Sequence, residues 1–399
     1  MKLVGIMKKT VRDIDIANKK VLVRVDFNVP LDKQGRITSD GRIRATLPTI
    51  SYVLKQRASI ILCSHLGRPK GKRVDGLSLH PVAERLSEML DQPVQMAEDC
   101  IGAQVEELTH NLKNGEILML ENLRFHPEEE NNNDSFAQAL ASFAEIYVND
   151  AFGACHRRHA SIVGVPRYLP AVSGLLLEKE LKTLSGLLGS PAHPFCGLFG
   201  GAKVSDKVAT LENIMDKLDC LLIGGAMAAL FLKAKGYEIG QSEIELDEVD
   251  TAGTLMEKVA GNGTRLLLPT DVIVAETIDA SASIKTVPSE NIPPTMKMVD
   301  IGPQSVRDFQ EKLRDCHTVF WNGPMGIYEI SPFATGTQKI ASYLAGLKAT
   351  VIVAGGSTAE IVGDLRLADQ MGFVSTGGGA ALKYLAGASL PGVEVLPDA

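Results

Sequence analysis

The stretch Val21-Leu22-Val23-Arg24-Val25, running into Asp26-Phe27-Asn28, sets the reading of the chain. A short, nearly continuous apolar run is a strand covered on both faces, and such strands belong to parallel sheets flanked by helices. The pattern recurs at Ile60 to Cys63, Ile117 to Leu120 and Ile146 to Val148 in the first half. In the second half it recurs at Phe195 to Phe199, Cys220 to Ile223, Arg265 to Leu268, Thr318 to Trp321, Val351 to Ala354 and Gly372 to Val374. Each run leads into a polar or glycine-rich loop and then a helical period. The expected fold is therefore α/β: two doubly wound parallel-sheet (Rossmann-like) lobes joined by a helix, with a cleft between them. A chain of 399 residues is also too long for one core.

Ser173 to Leu188 separates the two series, with leucines at 175, 176, 177, 181, 184, 187 and 188 and no strand. Its period fits a connecting helix and, equally, one more packed helix. The expected divisions are residues 1–173, a connector over 174–188, and residues 189–387, with the tail 388–399 returning to the first lobe.

A hydrophobic fraction of 45% with 22% charged residues places the chain among ordinary globular proteins rather than disordered or membrane ones. No apolar run approaches a membrane span. Met1 to Lys9 lacks the apolar stretch and small-residue cleavage site of a secretory signal, so a cytoplasmic location is expected. The six cysteines lie far apart with no Cys-x-x-Cys pair, which predicts buried free thiols. The net charge of −7 hides an asymmetry: residues 1 to 173 hold 23 basic and 21 acidic side chains, and 13 of the 17 arginines. Guanidinium suits bidentate capture of carboxylate and phosphate, so the first half is built for a small anion. The arginines are single residues at strand and loop ends, which argues against nucleic acid.

In open parallel sheets ligands bind beyond the carboxyl ends of the strands. There the first half places Asp26-Phe27-Asn28, Ser64-His65-Leu66-Gly67-Arg68-Pro69, Glu121-Asn122-Leu123-Arg124-Phe125-His126 and Asn149-Asp150-Ala151-Phe152-Gly153. The second half places Gly200-Gly201-Ala202-Lys203, Gly224-Gly225-Ala226, Asn322-Gly323-Pro324, Gly355-Gly356-Ser357-Thr358 and Gly377-Gly378-Gly379. Glycine-rich loops opening helices let backbone amides approach phosphate, so the second lobe is expected to cradle a nucleotide. Gly67 to Lys72 is not a P-loop, being one residue short with Arg73 where Ser or Thr would stand. No strand leads into Gly-x-Gly-x-x-Gly, so a dehydrogenase reading loses its support.

The segments Val23 to Pro30, Ser64 to Pro69, Glu121 to Phe125, Asn149 to Gly153, Gly200 to Val204, Trp321 to Pro324 and Ser375 to Ala380 occur in order over about residues 20 to 390 and resemble the phosphoglycerate kinase family. The resemblance implies a glycolytic and gluconeogenic phosphotransferase with a carboxyl group as acceptor. It would exchange a phosphoryl group between 1,3-bisphosphoglycerate with ADP and 3-phosphoglycerate with ATP. The first lobe would hold the phosphoglycerate through Asp26, Asn28, Arg42, His65, Arg68, Arg124 and Arg157, with Arg24 and His159 beside them. The second would hold ATP or ADP through Lys203, Lys207, Glu329, Gly355, Gly356, Ser357 and Thr358, with Gly225, Asn322 and Pro324 lining the adenosine side. Lys203 and Lys207, four residues apart, are expected one helical turn apart and both facing phosphate. Mg2+ would travel with the nucleotide, no protein metal site is expected, and the partners are small molecules for a monomer without membrane or nucleic acid.

A carboxylate acceptor is already an anion, so no general base is needed, and catalysis reduces to positioning and charge neutralisation. Arg42 and Lys203, with the amides of Gly378 and Gly379, are the expected stabilisers of the phosphoryl group in flight. Substrates on separate lobes would have to be brought together by closure, with 173–188 and 375–379 taking up the hinge change. The family's nucleotide loop usually carries Asp where this chain has Ser357, and Arg158 replaces a small residue. Two alternatives stay open: a nucleotide-binding regulatory protein impaired in catalysis, motivated by Ser357, or a kinase of another small carboxylate with a changed clamp.

Overall fold

The computed structural model describes residues 7–201 and 203–399; the first six residues, and Ala202 within the Gly200 to Val204 motif, lie outside them. The chain divides into two units, Met1–Ser185 with Ser389–Ala399, and Gly186–Ala388. The division falls inside the helix Leu175–Gly189.

The first unit is built on β1 (Lys20–Val25), β2 (Ser59–Cys63), β3 (Val94–Met96), β4 (Ile117–Met119), β5 (Ile146–Asp150) and β6 (Ala171–Ser173). They form one parallel sheet in the order β3-β4-β2-β1-β5-β6. Val21, Val23 and Val25 of β1, Ile60 and Leu62 of β2 and Ile146 and Val148 of β5 form one buried apolar face, covered by amphipathic helices such as Gly41–Lys55 through Ile43, Ile50 and Val53. The chain winds outward from β1 through β2, then returns to place β5 on the other side. The order therefore reverses between β1 and β5. The C-terminal tail docks on this unit: Gly392 N–H donates to Cys155 O at 2.9 Å, and Lys9 N–H donates to Pro397 O at 3.0 Å.

The second unit opens with β7 (Phe195–Phe199), β8 (Cys220–Ile223) and β9 (Arg265–Leu267). A segment with β10 (Asp271–Ala275), β11 (Ile284–Pro288) and β12 (Lys297–Ile301) follows, then β13 (Thr318–Asn322), β14 (Thr350–Val353) and β15 (Phe373–Val374). The parallel sheet has the order β15-β14-β13-β7-β8-β9, reversing between β7 and β13. The expected doubly wound architecture is present in both units. Trp321, fully buried, is the largest side chain of the second core, and its indole N–H reaches Gly323 O at 2.8 Å.

β10 to β12 form a separate antiparallel sheet in the order β11-β10-β12, which the sequence reading did not anticipate. Asp300 on β12 ties it to the helix Thr335–Ala345, accepting Gly336 N–H at 2.6 Å and Ile301 N–H at 2.9 Å. Burial outweighs those two donors and pushes its carboxyl up to about 7. A carboxyl more basic in the folded chain than in the unfolded one binds its proton preferentially when folded. Its contribution is thus lost as pH rises from 3.8 to about 7, at up to about 1.4 kcal/mol per pH unit. Denaturant unfolding of the second unit is expected to show this slope, and Asp300→Asn to flatten it even if overall stability drops.

Candidate functional site

In the first unit the expected site residues lie in and after β1 (Arg24, Asp26) and after β2 (His65), β4 (Arg124) and β5 (Arg157, His159), with Arg42 on the helix Gly41–Lys55. Arg24 belongs to β1 itself and is fully buried. Its Nε donates to Ser161 Oγ at 2.9 Å, one terminal nitrogen donates to Val25 O, and the other lies 3.1 Å from His65 Nδ1. Ser161 in turn donates through N–H and Oγ to the buried Glu129, at 2.9 and 2.6 Å. The guanidinium thus holds its neighbours in place from inside the lobe.

Asp26 lies just past β1, 6% exposed, with Arg42 Nη1 on its Oδ2 at 2.5 Å. Burial alone would raise its carboxyl, yet Arg42 and Arg24 overcome that and bring it to about 2. Its other oxygen, Oδ1, is buried without a hydrogen-bond donor, 3.9 Å from His65 Nδ1. Burial pushes His65 well below the ordinary imidazole range, and Arg24, Arg124 and Arg42 push the same way. His159 is driven to about 3 by burial, then by Arg124, Arg24, Arg157 and His156. Arg124 donates to Gly67 O at 2.8 Å and faces Glu130 at 3.3 Å. Seven expected residues, Arg24, Asp26, Arg42, His65, Arg124, Arg157 and His159, therefore share one electrostatic neighbourhood. Asn28 accepts Gly67 N–H at 2.8 Å and shapes the loop instead. Arg68 and Arg158 are exposed. Glu129 and Ser161 were missed, because neither follows a strand and only the fold brings them under Arg24.

In the second unit the ends of β7, β8 and β13 meet backbone to backbone. Gly201 N–H donates to Pro324 O at 3.0 Å, Gly225 N–H to Met325 O at 2.9 Å, and Met227 N–H to Gly201 O at 2.9 Å. Gly225 has φ +61°, and a Cβ there would sit 2.6 Å from Gly201 N and 2.7 Å from Pro324 O. Only glycine permits that approach. Asn322 Nδ2 donates to Ala354 O and Thr358 Oγ1 accepts Gly323 N–H, at 2.8 and 2.7 Å, fixing the loop after β14 against β13. The helices Gly356–Asp364 and Gly378–Leu385 begin side by side, so close that a Cβ on Gly378 would lie 2.6 Å from Gly355 Cα. Two helix N-termini at one spot form an anion-binding surface. Gly356, Ser357 and Gly379 are exposed there, and so is Glu329.

Lys203 and Lys207 differ from the expectation of a shared helical turn. The helix begins at Ser205, so Lys203 precedes it. Lys207, buried and with its ammonium disfavoured by that burial, donates to Lys203 O at 3.1 Å. Lys203 is exposed and pairs with Glu245 at 3.1 Å. Glu248 fixes the helix start by accepting the N–H groups of Val204 and Ser205 at 3.1 and 3.0 Å. It too was missed, lying more than 40 residues downstream in sequence.

Two doubly wound units, one gathering guanidinium groups at its reversal point and the other paired helix starts, define an α/β phosphotransferase. The family model described as phosphoglycerate kinase matches residues 11–388. The phosphoglycerate kinase of Gloeothece citriformis is 50% identical, covering 98% of this chain and 100% of that one. The one of Synechococcus elongatus is 52% identical over 96% and 97%. The solved structure of phosphoglycerate kinase from Coxiella burnetii superposes with a TM-score of 0.84 at 38% identity, covering 97% of this chain and 98% of that one. The chain belongs to the phosphoglycerate kinase family. Among the described residues no helix is long and apolar enough to cross a membrane.

The histidine environments give a direct check. His159 is expected to stay neutral down to about pH 3. His126, whose Nε2 lies 2.6 Å from Asp99, is raised above the ordinary value by that hydrogen bond. Imidazole titration by nitrogen-15 NMR should show His126 charging before His65 and His159 as pH falls, with the latter two remaining neutral throughout the physiological range.

Proposed function

We propose that this chain performs the phosphoryl transfer of its family, between 1,3-bisphosphoglycerate with ADP and 3-phosphoglycerate with ATP. The observation that carries the reading is the buried Asp26 Oδ1, an acceptor without a donor, beside Arg42 and Arg24, with Arg124 and Arg157 gathered near His159 in the same unit. Such a site suits a small polyanion that also carries a hydroxyl: the guanidinium groups take phosphate and carboxylate, and the hydroxyl donates to Asp26. Arg24, being buried and engaged within the lobe, acts as a positioning residue for His65 and Ser161 rather than by touching substrate.

The acceptor's identity follows from what the site lacks in basicity. A hydroxyl acceptor would need a base, and Asp26 at about 2 is a poor one. A carboxylate acceptor needs none. On the nucleotide side, the helix starts at Gly356 and Gly378 would take phosphate oxygens, with Lys207 and Lys203 supplying charge. Lys203 must leave Glu245 to do so. Mg2+ enters with the nucleotide as part of that substrate. The exposed hydroxyl of Ser357 at the helix start is a neutral oxygen donor that a hard cation, keeping most of its waters, accommodates.

A coupled assay with 3-phosphoglycerate, MgATP and the full chain tests the reading; absence of turnover would overturn it. If turnover on another acid is not competed by 3-phosphoglycerate, a different carboxylate is the substrate. Arg42→Ala is expected to lower kcat roughly a hundredfold, about 3 kcal/mol in barrier, while ADP affinity is unchanged. Unaltered turnover would remove Arg42 from the catalytic set. Ser357→Asp should shift the magnesium dependence to lower concentration, as read by initial rates over a magnesium titration.

A further inference from the structure

Cys196, Cys220 and Cys316 come from three distant parts of the sequence and converge on one point, their sulfur atoms all within 4.8 Å of one another. The convergence follows from the sheet. Cys196 on β7 and Cys220 on β8 are register partners in parallel strands, so their side chains share a face. Cys316 reaches the same face from the turn between the helix Pro303–Leu313 and β13. All three lie at the amino-terminal ends of strands whose carboxyl ends carry the glycine-rich loops. Their exposures are 0%, 2% and 5%, within the apolar core that includes Leu198, Phe309 and Val319.

We propose that Cys196, Cys220 and Cys316 form a tris-thiol site for a trivalent thiophilic metalloid. Three sulfurs around one atom at bonds of about 2.3 Å stand at most about 4 Å apart, so small rotations about the Cα–Cβ bonds close the observed triangle. The surroundings select the ion. Among the described residues no histidine, carboxylate or fourth thiol joins the three, which leaves tetrahedral zinc one ligand short. Three thiolates on Zn2+ or Cu+ would also leave net negative charge in an apolar core, a costly arrangement. Arsenic(III) leaves none. Arsenous acid reacts with three thiols so that three As–O bonds break and three As–S bonds form. Three waters leave with the thiol protons, and arsenic stays trivalent with no electron transferred. Cys316, the most exposed of the three and the one outside a strand, is the point of entry.

The test titrates the reduced full-length chain with sodium arsenite and follows it by native mass spectrometry and arsenic X-ray absorption. The expected adduct gains one arsenic and loses three hydrogens, and its absorption spectrum shows three sulfur neighbours and no oxygen. Cys316→Ser should weaken binding by more than about a hundredfold, beyond what loss of an outer-shell partner costs a metal site, whereas Cys100→Ala should leave it intact. The proposal is overturned by absence of an adduct, by an adduct retaining an oxygen neighbour, by undiminished binding in Cys316→Ser, or by displacement of arsenic with one equivalent of Zn2+. The absorption spectrum of the unmodified chain decides the matter even if the variant fails to fold.

Discussion

A positive charge with no access to solvent governs the first unit. Arg24 sits in the central strand at 0% exposure, and removing such a charge from water costs several kcal/mol unless the surroundings repay it with hydrogen bonds and opposite charge. Ser161, the Val25 carbonyl and His65 take its hydrogen bonds, while Glu129 and Asp26 supply negative charge nearby. The arrangement then dictates protonation around it. Burial first, and then Arg24, Arg124 and their neighbours, keep His65 and His159 from accepting a proton at neutral pH. Both imidazoles are fixed as neutral hydrogen-bonding groups.

On the proposed reading, the second unit holds its anion largely through the backbone, with Lys203 and Lys207 as its side-chain charges. Its means are backbone amides and helix dipoles, which require chain segments to approach more closely than a Cβ allows. Gly225 against Gly201 and Pro324, and Gly378 against Gly355, are where that requirement is met. Thr358 and Asn322 lock the loops so that the amides are oriented before any ligand arrives. Preorganised donors of this kind need little reorganisation on binding and keep their strength in a low-dielectric surrounding.

Most of this was legible in the sequence wherever a strand is buried on both faces. β1, β2, β5, β7, β8 and β13 read as continuous apolar runs, and the groups after them fell at the right edge by topology alone. β3 and β6 were not read, since each has three residues on a sheet edge and β3 is only partly buried. The β10 to β12 sheet was hidden because β11 is largely exposed and carries no apolar pattern. Contacts made by fold rather than by adjacency were also invisible: Glu129 under Arg24, Glu248 at the start of the Ser205 helix, and the three cysteines, whose spacing gave no hint of convergence. The pairing of Lys203 with Lys207 on one helical face failed for a local reason. Counting four residues assumes a helix already begun, and Glu248 starts it only at Ser205.

On the proposed reading, these environments also free the transfer from dependence on a titrating base. A catalytic base that took a proton in one direction would have to return it in the other, and its affinity for that proton would tie the rate to pH near its own pKa. Here the carboxylate at Asp26 lies far below neutrality and the two buried imidazoles lie below it as well. On that reading, none of Asp26, His65 and His159 changes charge near pH 7, so these three present the same charges to the phosphoryl group in either direction. On the proposed reading, charge fixed by burial and by neighbouring guanidinium groups, rather than proton movement, is what the first unit would contribute to the chemistry.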